Sequence, residues 1–235
     1  MMARKTGIEL LDSYLGGGYP PGLVLTLEEP GAGGDVFTYH FVAEGIRSGE
    51  RVLYLETEKT EMEFWEYLNG FFGPDEVAKE NILFFEMQNG HFPQEDLKTL
   101  EDLKTLIKYR TCDPFKKMVT LLNGEKFDRI VVNSAVYFAE NYSQREVLLL
   151  VDFLQKYTRK YQSTAMMLMT AGVFDVRVET ILKHRSDCCV ELALREDENE
   201  IKRVLKIIKL KGRPVPRSIL NYSLTERGVM FDLIP

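Results

Sequence analysis

Two hydrophobic periods run through the chain, and glycines mark most of the places where one gives way to the other. The opening, residues 6–18, reads as a short helix that stops at Gly16-Gly17-Gly18, with a turn at Tyr19-Pro20-Pro21-Gly22 behind it. Residues 23–27 are an unbroken apolar run, the pattern of a strand buried on both faces. A glycine-bearing loop follows, then a helix over 37–47, a stop at Ser48-Gly49-Glu50 and a second strand over 51–55. Strand, glycine loop, helix and strand within about 35 residues make a βαβ unit, which requires a parallel sheet.

The same reading continues downstream. Met62, Trp65, Leu68 and Phe72 recur at helical spacing over 61–72, and Gly73-Pro74 ends that helix. Residues 82–85 form a third strand. A direct repeat, EDLKTL at 95–100 and again at 101–106, places leucines every three residues among alternating charges, the pattern of an amphipathic surface helix. Residues 127–134 read as a central strand with a polar end, 146–161 as an apolar-faced helix and 165–170 as another buried strand whose methionines belong to the core. Residues 189–194, 201–210 and 222–224 read as strands, with the charged stretch 195–200 turning the first pair into an antiparallel hairpin. The fold class expected is α/β, with a mostly parallel sheet, antiparallel strands at its C-terminal edge and helices on both faces. No linker divides the chain, so one domain over 1–235 is expected.

Composition narrows the function. The 235 residues are 45% hydrophobic, enough for one substantial core, and the net charge is −6. That charge argues against broad, non-specific DNA binding, which rests on cations neutralising phosphates. No apolar run approaches the roughly 20 residues of a membrane helix. Residues 1–7 lack the apolar stretch of a secretion signal, and Cys112, Cys188 and Cys189 form no disulfide framework, so a cytoplasmic protein is expected. His40, His91 and His184 have no partner at catalytic spacing, and Ser134 lacks the glycine elbow of a hydrolase nucleophile.

The most informative stretch is Leu27-Glu28-Glu29-Pro30-Gly31-Ala32-Gly33-Gly34-Asp35. A phosphate-binding loop reads G-x-x-x-x-G-K-[ST]; its N–H groups cradle phosphates, its Lys reaches them and its hydroxyl ligates Mg²⁺. Here Glu28 stands at the first Gly position, Gly34 at the Lys position and Asp35 at the Ser/Thr position, while the turn glycines Gly31 and Gly33 remain. Three carboxylates, Glu28, Glu29 and Asp35, crowd a site suited to a polyanion. Asp35 at a helix start is favourable without any ligand, and an acidic side chain can replace the missing phosphate at the helix N-terminus. No metal site is expected.

The order Thr6-Gly7-Ile8, Leu11-Asp12, Leu15-Gly16-Gly17-Gly18, Pro21-Gly22, apolar strand and glycine loop resembles the entry to the RecA-superfamily core, most of all the archaeal KaiC-like and RadA-like ATPases. Lys209-Leu210-Lys211-Gly212-Arg213-Pro214 and Tyr222-Ser223-Leu224-Thr225-Glu226-Arg227-Gly228-Val229 are similar to the closing pattern of KaiC-like domains. The resemblance brackets most of the chain; residues 72–125 match in outline only. It implies a RecA-type three-layer fold and a phosphate-loop NTPase ancestry. It also implies an acid at the end of the apolar strand 130–132 to hold Mg²⁺, where this chain has Asn133, and a Glu after the second strand to polarise water, for which Glu56 and Glu58 are the candidates.

Magnitudes set the functional expectation. Losing the loop cation removes several kcal/mol of transition-state stabilisation. A carboxylate about 4 Å from a phosphate charge adds repulsion of about 4 kcal/mol at an effective dielectric of about 20. The expectation is therefore a non-hydrolysing, KaiC-like pseudo-ATPase acting as a regulator or scaffold, with no cofactor, as a homo-oligomer or docked on a related RecA-like ATPase. One alternative is a divergent ATP-binding protein or NTPase completed by a neighbouring subunit. The other is a nucleic-acid-binding recombinase paralogue using the cations from Lys202 to Arg217, which otherwise read as lysines keeping an edge strand soluble.

Overall fold

The computed structural model describes residues 3–74, 79–87, 114–197 and 200–232. The expected helix over 95–106, His91 and Cys112 lie outside the described residues. The described strands are β1 Gly22–Glu28, β2 Val52–Glu56, β3 Ile82–Glu86, β4 Arg129–Asn133, β5 Thr164–Thr170, β6 Cys188–Asp197, β7 Glu200–Leu210, β8 Leu220–Thr225 and β9 Gly228–Phe231. The helices are α1 Glu9–Tyr14, α2 Gly34–Arg47, α3 Glu61–Phe72, α4 Pro114–Gly124, α5 Val136–Asn141, α6 Gln144–Tyr161 and α7 Val176–Arg185.

All nine strands join one sheet in the order β3-β2-β4-β5-β1-β6-β7-β8-β9. From β3 to β6 every pairing is parallel; from β6 to β9 every pairing is antiparallel. This is the α/β, RecA-type arrangement that the apolar runs and the C-terminal hairpin pattern predict.

Period-2 alternation within buried strands divides the core into two layers. Val24, Val52, Tyr54, Val131 and Met166 face one side, where Phe37, Phe41 and Val42 of α2 and Phe64 and Leu68 of α3 cover them. Leu25, Leu53, Leu55, Ile130, Val132 and Met167 face the other, under Leu150, Val151 and Leu154 of α6 and Leu182 of α7. The starts of α3 and α6 are fixed by capping boxes, Thr60 with Glu63 and Ser143 with Glu146.

Several boundaries differ from the sequence pattern. Helix α2 begins at Gly34, three residues before the first strong apolar position, because a loop residue in left-handed conformation, Gly33 at φ 83°, turns the chain into it. Strands β6 and β7 run through the charged stretch expected to be a turn, with Glu196 opposite Ile201 and Asp197 opposite Glu200. Helices α4, α5 and α7 and strand β9 add to the elements that the sequence pattern predicts. The segment expected at a sheet edge, β7, is interior, flanked by β6 and β8. β8 pairs with it only at Arg203–Leu205, so Lys206 and Lys209 lie on a stretch of β7 that β8 does not cover.

Candidate functional site

The strands β1, β2 and β4 end on the same side of the sheet, and their last residues are Glu28, Glu56 and Asn133. Ligands of open α/β sheets bind at these carboxyl ends. Register places Glu56 directly opposite Asn133. The loop after β1 leads through Gly31 (φ 90°) and Gly33 into α2.

Glu28 turns back into this loop. Its Oε2 accepts a hydrogen bond from the Gly34 N–H at 2.6 Å, the first N–H of α2. No side chain of the N-cap residue serves this helix, so the carboxyl from the end of β1 satisfies it instead. Burial pushes the Glu28 carboxyl up to about 6; the Gly34 N–H opposes that rise, Asp35 and Glu58 add to it, and Lys59 opposes it. Desolvation thus outweighs the attraction of the helix start. Asp35 lies in the first turn of α2, as expected, but it pairs with Lys59 Nζ at 2.7 Å, and it is Glu28 that accepts from the first N–H of the helix.

Lys59 lies just beyond β2, in Glu56-Thr57-Glu58-Lys59. Asp35, Glu56 and Glu58 hold its ammonium group protonated to higher pH than usual, against the opposing effect of its own burial. Sequence reading passed over this residue. The available signal was a lone cation among acids immediately after the second strand.

Glu56 is enclosed. It is 1% exposed, and its Oε1 accepts from the backbone N–H groups of Thr57 and Glu58, each at 2.9 Å. Its Oε2 accepts from Asn133 Nδ2 at 3.0 Å. Burial raises its pKa despite these donors. Asn133 also donates to the Tyr54 hydroxyl at 2.9 Å, and that hydroxyl meets Thr38 Oγ1 of α2 at 3.1 Å. Among the described residues, Asn133 Oδ1 is buried without a partner, as is the Tyr39 hydroxyl. Glu58 is exposed and contributes its backbone N–H to this arrangement. Among the described residues, no group of three or more His, Cys, Asp or Glu is placed to hold a metal ion.

The C-terminal strands grip the loop from the far side. The Tyr222 hydroxyl of β8 donates to Ala32 O at 2.7 Å, and Arg203 Nε of β7 donates to Gly31 O at 3.2 Å. The Leu194 N–H of β6 donates to Glu29 Oε2 at 2.7 Å, and Leu224 packs against Gly33. Tyr222 and Arg203 were not among the sequence candidates for the site.

The cations from Lys202 to Arg217 do not form one free patch. Lys202 pairs with Asp197, and Lys211 pairs with Asp187 at 2.7 Å. Lys209 donates to the Lys183 and His184 carbonyls at the end of α7, and Arg213 to the Leu15 and Gly16 carbonyls after α1. Lys209, Lys211 and Arg213 tie the antiparallel strands to α7, to Asp187 ahead of β6 and to the segment after α1, whereas Lys202 pairs within the β6–β7 hairpin. His40 is buried inside the protein, where its Nε2 accepts from the Val229 N–H at 3.0 Å. Cys188 and Cys189 are buried free thiols. Among the described residues no helix is long and apolar enough to cross a membrane.

Comparison with known proteins places this arrangement. A UPF0273 protein of Thermotoga maritima is 22% identical over 235 residues, covering 96% of this chain and 94% of the relative. A UPF0273 protein of Pyrococcus furiosus is 23% identical over 238 residues, covering 96% and 92%. Among solved structures, a KaiC-like protein of Pyrococcus horikoshii superposes with a TM-score of 0.72 at 19% identity over 97% of this chain and 98% of the other. The flagellar accessory protein FlaH of Methanocaldococcus jannaschii superposes with a TM-score of 0.73 at 15% identity over the whole of both chains. The fold is therefore shared with RecA-type KaiC-like proteins, and since the family model described as ATPase: KaiC matches residues 4–233, the chain belongs to that family.

Proposed function

We propose that this KaiC-family chain is a pseudo-ATPase: it does not hydrolyse ATP, and it serves as a regulator or scaffold through protein association. The carrying observation is the enclosure of Glu56. Of the two candidate water-polarising carboxylates, Glu58 is exposed, whereas Glu56, the one at the end of β2 opposite Asn133, is 1% exposed, with its oxygens engaged by two backbone N–H groups and the Asn133 amide. A general base must reach the proton it removes, directly or through one water.

The other parts of the site support the same reading. Phosphoryl transfer depends on positioning and charge stabilisation, supplied by a loop cation and a bound divalent ion. The residues present do not fit that group. The loop N–H of Gly34 is held by an internal carboxylate, Asp35 is paired with Lys59, and the acid expected at the end of β4 is a neutral amide. The alternative of a site completed by a neighbouring subunit faces the same obstacle, because an incoming cation meets Asp35 already paired. The nucleic-acid alternative loses support from the backbone-carbonyl contacts of Lys209 and Arg213 and from the surface ion pairs of Lys202 and Lys211.

The test is isothermal titration of nucleotide-stripped protein with ATP and ADP, with and without Mg²⁺, alongside a single-turnover hydrolysis assay. No saturable heat and no phosphate release are expected. Hydrolysis above the uncatalysed rate that disappears in Glu56→Gln or in Glu58→Gln would refute the reading. The association half is tested by light scattering of the purified protein, alone and mixed with an active KaiC-family ATPase. A monomer that leaves the ATPase's mass and turnover unchanged would end it.

A further inference from the structure

We infer that His40 is a proton-operated latch: while neutral it holds the edge strand β9 against α2, and on taking up a proton it releases β8 and β9 and so loosens their grip on the glycine loop. The latch does not depend on whether the chain hydrolyses ATP.

The geometry carries it. His40 is buried in the middle of α2, and its Nε2 accepts the Val229 N–H of β9 at 3.0 Å. An imidazole nitrogen accepts only while it carries no proton; in the imidazolium both ring nitrogens are donors. Protonation therefore leaves two donors facing each other away from water. The ring has little space in which to turn aside. Gly228, at φ 89°, passes so close that a Cβ there would overlap Nε2, and the Phe72 ring of α3 packs edge-on at 4.8 Å. The strand is the part that can move: among the described residues β9 pairs with β8 alone, at the end of the sheet.

The surroundings of the ring hold it neutral. The N-terminal segment presents the Gly7 backbone, α3 presents Phe72, and β9 presents the Gly228 and Val229 backbone. Glu44, one turn further along α2, lies against Gly7. Among the described residues the charged side chain that bears on the ring is Arg47 of α2, stacked 5.2 Å from the Phe72 ring; like burial, it favours the neutral form.

The strand that His40 holds reaches the loop in short steps. Val229 is paired with Leu224 of β8, and Leu224 sits so close on Gly33 that a Cβ there would overlap it. The Tyr222 hydroxyl holds Ala32 O at 2.7 Å, and its ring lies between Phe37 of α2 at 5.2 Å and Phe231 of β9 at 6.0 Å. Release of β9 thus undermines two contacts that brace the loop from the C-terminal side. The sign follows from the ring: its pKa is pushed down to about 4 in place, and returns to about 6.5 once released, so acid favours release. Between pH 7.5 and pH 5.5 the released fraction should rise about tenfold.

The experiment is amide hydrogen exchange followed by NMR at pH 7.5 and pH 5.5, with rates corrected for the intrinsic effect of pH. In the wild type the amides of β8 and β9 should exchange faster than those of β1 and β5, and their opening should increase about tenfold between the two conditions. His40→Gln, whose amide oxygen can take the Val229 N–H without titrating, should lose that increase. Amides of β8 and β9 that exchange no faster than those of β1 and β5 overturn the inference, because release then occurs only with global unfolding. A wild-type increase below about twofold overturns it too, as does an equal increase in His40→Gln. Should His40→Gln not fold, the wild type supplies the answer. The Val229 amide proton should shift with the titration of the His40 ring, and an amide indifferent to that titration overturns the contact that forms the latch.

Discussion

Replacing Asn133 by Asp restores the acid that the family's phosphate chemistry calls for, and the geometry says the protein will resist it. Asn133 Nδ2 lies 3.0 Å from Glu56 Oε2 and donates to it. The substitution puts an acceptor where the donor was. Two unit charges about 3 Å apart repel by about 5–6 kcal/mol at an effective dielectric of about 20. The pair has a less costly route, which is to take up one proton and share it. For a carboxyl with an ordinary pKa of about 4, that uptake costs about 4 kcal/mol at pH 7 and about 1 kcal/mol at pH 5. The sign follows: the folded pair binds a proton more tightly than the unfolded chain, so the variant approaches wild-type stability in acid and falls behind as pH rises. Urea unfolding of both proteins at pH 5 and pH 7 reads the effect directly. The variant's deficit should grow by about 3 kcal/mol between the two conditions. Millimolar magnesium should not recover it, because the neighbouring acid Asp35 is already paired with Lys59. A deficit below about 1 kcal/mol at pH 7 would mean that Glu56 and Asn133 are not in contact in solution. Recovery by magnesium would mean that the strand ends still form a cation site, and the pseudo-ATPase reading would lose its electrostatic basis.

Other consequences follow from the same network. Glu28→Gln should stabilise the protein at pH 7 by up to about 2 kcal/mol, since a carboxyl raised to about 6 is costly to keep ionised, and the gain should fade below about pH 4.5; equal unfolding midpoints at pH 7 would count against the buried carboxylate. His40 is held neutral, its pKa pushed down to about 4 by burial. Stability should therefore fall by about 3 kcal/mol as pH drops from about 6.5 to about 4, and an imidazole NMR titration midpoint near the ordinary value would refute this. Arg129 is buried, pairs with Glu50, donates to Lys5 O and Phe41 O at 2.7 Å each and stacks 4.3 Å from the Phe41 ring. Arg129→Ala should cost about 3–5 kcal/mol in urea unfolding, because Glu50 and two carbonyls lose their donor; a loss under about 1 kcal/mol would mean that water replaces it.

The residues that could be read from sequence were those whose neighbours are set by backbone order. The βαβ unit over 22–56 follows from apolar runs punctuated by glycine and gives the strand-end positions of Glu28 and Glu56, and the apolar run 130–132 gives that of Asn133. What escaped depends on how side chains reach across the fold. Lys59 looked like a loop lysine, because nothing local says that it reaches α2, 24 positions earlier. Asp35 does lie at the helix start, as its position implies, but nothing local says that β1 delivers Glu28 to the first N–H. Strand β7 looked like the edge of the sheet because sequence does not reveal that β8 and β9 extend the sheet beyond it. Arg203 and Tyr222 lie more than 170 positions from the loop they hold, too far for any spacing rule.

The substitutions at the loop make physical sense as a set. Under the proposed pseudo-ATPase reading, a loop of this shape that takes no phosphate leaves helix N–H groups unsatisfied, and an unsatisfied buried donor costs about 1–3 kcal/mol. Glu28 satisfies one, but its carboxylate is then desolvated. That second cost is reduced by the Gly34 donor and by Lys59. Lys59 could not serve next to a lysine at position 34, since two ammonium groups would compete for one site. Glycine at 34 removes that conflict and also makes room for the Glu28 carboxyl. Asp35, unsuitable beside a polyanion, becomes the natural partner for a relocated cation. On that reading, each of these residues suits the site only beside the others. The reverse path inherits the same coupling: installing lysine at 34 without removing Glu28 should destabilise the protein and restore no nucleotide binding. A stable Gly34→Lys variant that binds ATP would show that the loop positions are independent, and the account of the site as an internally balanced unit would fail.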